Sequence, residues 1–172
     1  RRLRQRRHAR LEFHAEDALT KGFRLIATNH TSFTVSDLDR SIGFFRDGFG
    51  FQVVSRAPRD PRLVSHITGV EGAEVETAYL RGPGHMLELI EYKAPAGRGR
   101  VQARPCDTGF AHIAFDVDNV EAAMQQAVRH GATAVAAPCE INAGPNKGRR
   151  IVYVRDWDGV TIEFIESKGR EP

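Results

Sequence analysis

Cysteine is almost absent from this chain: Cys106 and Cys139 are the only two in 172 residues, and they form no CxxC pair. That excludes a disulfide framework or a thiolate zinc site, and suggests free thiols in a reducing, cytoplasmic compartment. Long apolar runs are missing too. None approaches the roughly 20 residues that cross a bilayer, so no membrane association is expected. The first residues also lack an apolar stretch of about 7–15, which argues against a secretory signal. Acids are missing from the first ten positions, where six arginines stand (Arg1, Arg2, Arg4, Arg6, Arg7 and Arg10). With those six set aside, 19 bases face 22 acids, and the formal charge of +3 becomes −3. The basic character therefore belongs to a tail, and the mildly acidic body offers no general surface for nucleic acid. The tail itself is expected to be a partly disordered extension. Phosphate contacts or a targeting role are the alternatives.

What is present is an ordinary globular composition, 41% apolar and 27% charged. A chain this long buries roughly 70% of its unfolded surface, so it folds without a disulfide or structural metal. It fits one compact domain or two half-sized modules sharing a core.

Internal similarity decides for two modules. Residues 30–42 read HTSFTVSDLDRSI and residues 112–124 read HIAFDVDNVEAAM, both with His, two residues, Phe, one residue and Val ahead of a helix-like segment. A second echo joins LELIE at 87–91 with IEFIE at 162–166. The order is His then Glu, twice, with separations of 58 and 51 residues. The expected organisation is an N-terminal extension at 1–26, a first βαβββ module at 27–93 and a Gly/Pro-rich linker at 94–107. A second βαβββ module at 108–167 and a tail at 168–172 complete it. Residues 12–25 could add a short helix.

In the first module, Ala27–Val35 alternates as a strand, and Ser36 is placed as N-cap. Leu38, Ile42 and Phe45 form an apolar helical stripe ending near Gly48. Strands are expected at Phe51–Arg56, Val75–Arg81 and His85–Tyr92, with an irregular segment at 58–73. In the second, Phe110–Val117 is the strand and Asp118 the cap. Val120, Met124, Ala127 and Val128 form the stripe, and Gly131 is the stop. Strands follow near Thr133–Ala136, Arg150–Arg155 and Val160–Glu166.

Alternation then assigns directions. Phe33 and Val35 oppose His30; Ile113, Phe115 and Val117 oppose His112; Leu87 and Leu89 oppose Glu88; Ile162 and Phe164 oppose Glu163. If the apolar faces pack on the helices and the sheets curve around a cleft, two imidazoles and two carboxylates converge. That donor set suits one divalent ion per site: Ni, Zn, Co, Mn or Fe. A lone strand His or Glu is usually only hydrogen-bonded or solvated; four at repeat-equivalent positions carry the case. Glu91 and Glu166 fall on the helix-facing side and read as end-of-strand charges.

Residues 28–51 together with HMLELIEY, GFAHIAFDV and RDWDGVTIEFIE resemble the motifs of the vicinal oxygen chelate superfamily. Its members include glyoxalase I, methylmalonyl-CoA epimerase, extradiol dioxygenases, fosfomycin-modifying transferases and bleomycin resistance proteins. The resemblance spans roughly residues 28–167. It implies an α+β fold in which two tandem βαβββ modules form a curved mixed sheet around a metal cleft. His30, Glu88, His112 and Glu163 match the four metal ligands of the glyoxalase I branch. One departure is Trp157, where the family turn usually carries proline in Asp-Pro-Asp-Gly.

The resemblance implies a lyase or isomerase that moves a proton beside a carbonyl held at the metal, with Glu163 as base and Glu88 as its partner. A first alternative is an extradiol-type ring-cleaving dioxygenase with Fe(II). Glu88 weighs against it, and His66 or His85 would have to serve as the acid–base histidine beside its iron. A second is a metal-free small-molecule or antibiotic-binding protein. The loop 142–150, with Lys147, Arg149 and Arg150, could close on an anionic small-molecule substrate or be a solvated hairpin. Arg62 and His66 are further candidate substrate contacts. A homodimer is expected because paired modules leave sheet edges that a second copy can cover. The modules of one chain could form the cleft together, or exchange so that each metal draws on two chains.

Overall fold

Each half of the chain begins with a short strand whose apolar side chains alternate, and each closes its sheet by pairing that strand with its last one. The computed structural model describes residues 22–167. The proposed arginine tail and the candidate helix at 12–25 therefore fall largely or wholly outside the described residues. In the first half β1 is Thr31–Thr34, α1 Leu38–Phe49, β2 Gln52–Pro58, α2 Pro61–Thr68, β3 Glu74–Gly82 and β4 His85–Ala94. The sheet order is β1-β4-β3-β2, with β1 parallel to β4 and the other neighbours antiparallel. In the second half β5 is Ile113–Val117, α3 Val120–Arg129, β6 Thr133–Ala134, β7 Cys139–Glu140, β8 Arg150–Arg155 and β9 Thr161–Glu166. Its order is β5-β9-β8-β6, β5 runs parallel to β9, and β7 pairs with β8. The architecture is α+β, and the internal duplication is visible in the two sheet orders.

Both helix starts lie one residue beyond the expected caps. Asp37 and Asn119, not Ser36 and Asp118, hold the N-cap positions and accept from the backbone N–H of Arg40 and Ala122, 2.9 Å each. The register follows from a second contact. The Glu91 carboxylate accepts from the Leu38 N–H at 2.9 Å, and the Glu166 carboxylate from the Val120 N–H at 3.2 Å. Each module thus satisfies two orphan N–H groups of its helix, one from the cap and one from the end of the last strand. The echoed glutamates do lie on the helix-facing side, where they are helix caps instead of idle charges.

α1 continues past Gly48 to Phe49, and Gly50 ends it with φ 72°. Gly48 is instead a point of close approach: a Cβ there would come within 3.3 Å of the His130 ring at the end of α3. The segment 58–73, expected to be irregular, contains α2. Asp60 caps it, Pro61 stands in its first turn and Gly69 stops it at φ 71°. Only Val64 of this helix is buried, while its apolar neighbours Leu63 and Ile67 are exposed. The first strands are shorter than expected, and β7 was not foreseen.

One core serves both modules. It joins Leu38, Ile42, Phe44 and Phe45 of α1, Val120 and Ala127 of α3, Leu80, Leu87 and Leu89 of the first sheet, and Val152, Val154, Ile162 and Phe164 of the second. Leu80, Leu87 and Leu89 are completely enclosed, each worth about 1.5–3 kcal/mol of burial. Aromatic pairs cross between modules: Phe49 with Phe164 at 5.4 Å and Phe51 with Phe115 at 5.8 Å. Trp157 joins them, lying 5.9 Å from the Phe44 ring with the Arg40 guanidinium 3.8 Å above the indole. The unusual residue in the turn is therefore a packing contact between the halves.

Candidate metal half-sites

Because Leu87 and Leu89 turn into the core, Glu88 must project from the opposite side of β4. Glu163 does the same between Ile162 and Phe164 of β9. His30 and His112 stand one residue before β1 and β5, where each ladder begins, and not within the strands themselves. His30 Nε2 lies 3.3 Å from a Glu88 oxygen, and His112 Nε2 lies 3.0 Å from a Glu163 oxygen. The structure thus assembles the four expected residues as two matched pairs, one on each sheet.

Each pair has an aromatic companion that sequence reasoning missed. Tyr79 sits opposite Glu88 in the β3–β4 register, and Tyr153 opposite Glu163 between β8 and β9. The Tyr79 ring meets His30 edge-on at 5.6 Å, and the Tyr153 ring lies 5.2 Å from His112. Both phenols titrate above the usual tyrosine range, for different reasons. For Tyr79 the first cause is its hydrogen-bonding interaction with the Glu88 carboxylate, then burial. For Tyr153 it is burial, then the charge of Glu163. A signal existed: Ala-Tyr-Leu-Arg at 78–81 and Val-Tyr-Val-Arg at 152–155 are a third echo.

Within one chain the pairs do not come together. Among the described residues, no group of three or more His, Cys, Asp or Glu side chains is placed to hold a metal. The expected convergence of all four in one cleft is therefore not made by a single chain. The reason is the shared core: both sheets turn their apolar faces toward it, so their ligand-bearing faces point apart. Each pair supplies one imidazole nitrogen and one carboxylate oxygen, the donors that divalent ions take at about 2.0–2.2 Å. Two donors are too few for a closed site, and two such pairs make four. A crevice of about 600 Å³ between the modules is lined by Phe45, Phe49, Phe51, Phe115 and Phe164, and none of the four candidate ligands borders it.

The remaining candidates are spread out. His85 shares the core side of β4 with Leu87 and Leu89, and its Nε2 lies 2.8 Å from Thr31 Oγ1, away from Glu88. Arg62 and His66 are exposed on α2. That helix packs through Val64 against Val75, Ile90 and Tyr92, on the same side of the first sheet as Glu88. The segment 58–73 therefore lies, as a helix, on the side of the first sheet that carries Glu88. In the 142–150 loop, Arg149 reaches Asp116 at 3.2 Å and Arg150 is ion-paired with Glu121, while Lys147 is exposed. Cys106 and Cys139 are exposed free thiols. No helix among the described residues is long and apolar enough to cross a membrane.

A duplicated βαβββ fold with a His–Glu pair on each sheet defines a class, and comparison with known proteins names it. Residues 27–164 match the model of the Glyoxalase/Bleomycin resistance protein/Dioxygenase superfamily, and the chain belongs to that family. It is 32% identical over 152 residues to a 2-epi-5-epi-valiolone epimerase from an Actinomyces species, covering 86% of this chain and 82% of that one. It is 33% identical over 147 residues to the lactoylglutathione lyase of Haemophilus influenzae, covering 81% and 91%. Among solved structures, a glyoxalase family protein from Bacillus cereus superposes with a TM-score of 0.72 at 25% identity, covering 85% of this chain and 97% of that one.

Proposed function

We propose that the chain is a divalent-metal-dependent lyase or isomerase of the glyoxalase I or epimerase type. It works as a homodimer in which His30 and Glu88 of one copy and His112 and Glu163 of a second hold one ion. The observation that carries this is the pair of matched His–Glu contacts, 3.3 and 3.0 Å, on faces that the shared core turns apart. Half-sites that cannot meet in one chain are completed by an isologous partner, which brings each half to its complement. Relatives named as an epimerase and as lactoylglutathione lyases carry the two reaction types that this reading joins.

A nickel, zinc, cobalt, manganese or iron(II) ion held there supplies Lewis acidity to two neighbouring substrate oxygens. The carboxylates do the rest. Glu163 takes the proton from the carbon beside the carbonyl. Its return to the adjacent carbon completes a 1,2-shift. Delivery of a different proton, already carried by Glu88, to the opposite face of the same carbon inverts that centre, and exchange with solvent then resets both carboxyl groups. The core-facing position of His85 removes one of the two histidines that a ring-cleaving dioxygenase would have used.

The test mixes two inactive chains. His30→Ala and His112→Ala each spoil both sites of their own homodimer. Unfolded together and refolded, half the dimers are hybrids with one intact site. The mixture should then regain about a quarter of the wild-type bound metal and of the solvent-deuterium exchange into an α-hydroxy thiol adduct or branched acyl-CoA. Hybrid dimers that recover neither, or oxygen uptake with ring opening of a catechol, would overturn the proposal.

A further inference from the structure

Arg56 on β2 and Arg59 just beyond its end take opposite sides. Arg56 faces α1, where Asp39 and Glu76 both take its guanidinium, Glu76 at 2.8 Å. Arg59, three residues on, falls on the other side, in line with Ser55 and Ala57, its N–H bonded to the Val75 carbonyl at 3.1 Å. Its guanidinium carbon lies 5.6 Å from the centre of the Tyr79 ring. Tyr79 in turn stands opposite Glu88, which meets His30. A cation, a phenol, a carboxylate and an imidazole thus form one row across the ligand-bearing face of the first sheet.

Arg59 is half-buried, and among the described residues its side chain has neither an ion-pair nor a hydrogen-bond partner. The nearest carboxylate in sequence, Asp60, is already used: it accepts from the Arg62 and Leu63 N–H groups at the start of α2, at 2.8 and 3.3 Å. A partly desolvated guanidinium without a counter-charge is costly, and its planar fork suits a two-oxygen anion. The cations of the 142–150 loop differ on this point. Arg149 and Arg150 are already paired with Asp116 and Glu121, so each has less to offer an incoming anion.

We propose that Arg59 anchors an anionic group of the substrate, a carboxylate or a phosphate, beside the His30–Glu88 half-site. The substrate class is then a compound whose two chelating oxygens are joined by a few bonds to an oxyanion. This rests on the metal reading above, and the experiment separates the two.

Cobalt(II)-loaded protein is titrated with three hydroxamates, each of which presents vicinal oxygens and changes the visible cobalt bands on binding. Acetohydroxamate is neutral beyond the chelating end, succinic monohydroxamate adds a carboxylate, and phosphoglycolohydroxamate adds a phosphate. At least one anionic probe should bind about tenfold tighter than acetohydroxamate, as expected for a charge-assisted bidentate contact. Arg59→Gln should erase that preference while acetohydroxamate binding, which reports an intact metal site and fold, stays within about threefold. Arg59→Lys should restore part of it. A preference confined to the carboxylate or to the phosphate probe supports the inference and names the anion. Anionic preference that survives in Arg59→Gln, or is absent from the wild type, overturns it and leaves the metal reading standing. Failure of the wild-type protein to bind cobalt or any hydroxamate overturns both.

Discussion

The first and second modules share a topology and present the same three side chains, yet they hold their carboxylates differently. In the first, His30 Nδ1 is tied to Asn29 at 2.7 Å, and α2 covers part of the same face. In the second, among the described residues His112 has no hydrogen-bond partner for its other nitrogen, and no helix of the kind of α2 is inserted between its strands. The internal repeat presents the His–Glu pair twice, and the first pair is held by more contacts than the second. A carboxylate that must carry a proton needs freedom to move, and a structural ligand benefits from outer hydrogen bonds. The difference agrees with Glu163 as the proposed base and Glu88 as the steadier ligand.

The sharpest way to break this comparison is to neutralise each carboxylate in turn. Glu163→Gln removes the proposed base and should lower kcat by about 100- to 10,000-fold, the usual contribution of general-base catalysis. For a 1,2-shift, in which Glu163 alone carries the proton, Glu88→Gln should act mainly through weaker metal binding, so that excess metal recovers a large share of its lost rate. Steady-state rates across a metal titration distinguish the two. Equal recovery of both variants by metal would mean that the modules have not taken separate roles.

The hairpins joining the last two strands differ as well. In the first module the connection is Pro83 and Gly84, without an acid. In the second, Asp156 is half-buried in the turn and accepts from the Asp158 and Val160 N–H groups, 2.9 Å each. Burial outweighs those bonds and raises its pKa to about 6, from 3.8 for a free aspartate. The folded protein then holds a proton that the unfolded chain has released. The associated stability is present in full below about pH 4 and is lost as pH rises through about 6, with an upper bound of about 3 kcal/mol. Asp156→Asn keeps the acceptor oxygen and stays neutral, so its denaturation midpoint should change less between pH 4.5 and 7.5 than that of the wild type. An unchanged pH slope would show that the turn tolerates the charge.

Most of the frame was legible because burial imposes period-two alternation on the strands. Leu87 and Leu89 could only turn into the core, which put Glu88 outside, and the same logic placed Glu163. The helices show in the stripes Leu38, Ile42 and Phe45 and Val120, Met124, Ala127 and Val128, which reach the shared core or its edge except for Val128, 47% exposed. What escaped depends on partners distant in the chain. The caps at Asp37 and Asn119 are set partly by Glu91 and Glu166, which reach them only once the first strand lies parallel to the last. α2 carries Leu63, Val64 and Ile67 at helical spacing, but it spans only 8 residues between Asp60 and Gly69, too few for periodicity to set it apart from a loop. Tyr79 and Tyr153 read as ordinary strand aromatics until the register sets each beside a glutamate. The separation of the two pairs follows from module packing, which alternation within one strand does not report.

The smallest effect sharpens the comparison at the helix ends. Glu91 and Glu166 occupy equivalent positions, but Glu91 is shared: one oxygen accepts from the Leu38 N–H at 2.9 Å, and the other meets Lys93 Nζ at 2.6 Å. No second partner is found for Glu166 among the described residues, and its bond to the Val120 N–H is longer, 3.2 Å. Glu91→Ala and Glu166→Ala should each cost about 1 kcal/mol, the usual value of a helix-terminal hydrogen bond, with Glu91→Ala the larger. Glu91→Gln keeps an acceptor for the Leu38 N–H and loses only the charge. It should therefore fall between Glu91→Ala and wild type in urea midpoint, and adding salt should narrow its gap to wild type. If both alanine variants matched wild type in urea, the strand-to-helix contacts would be geometry without energetic weight, and the caps Asp37 and Asn119 would carry the helix starts alone.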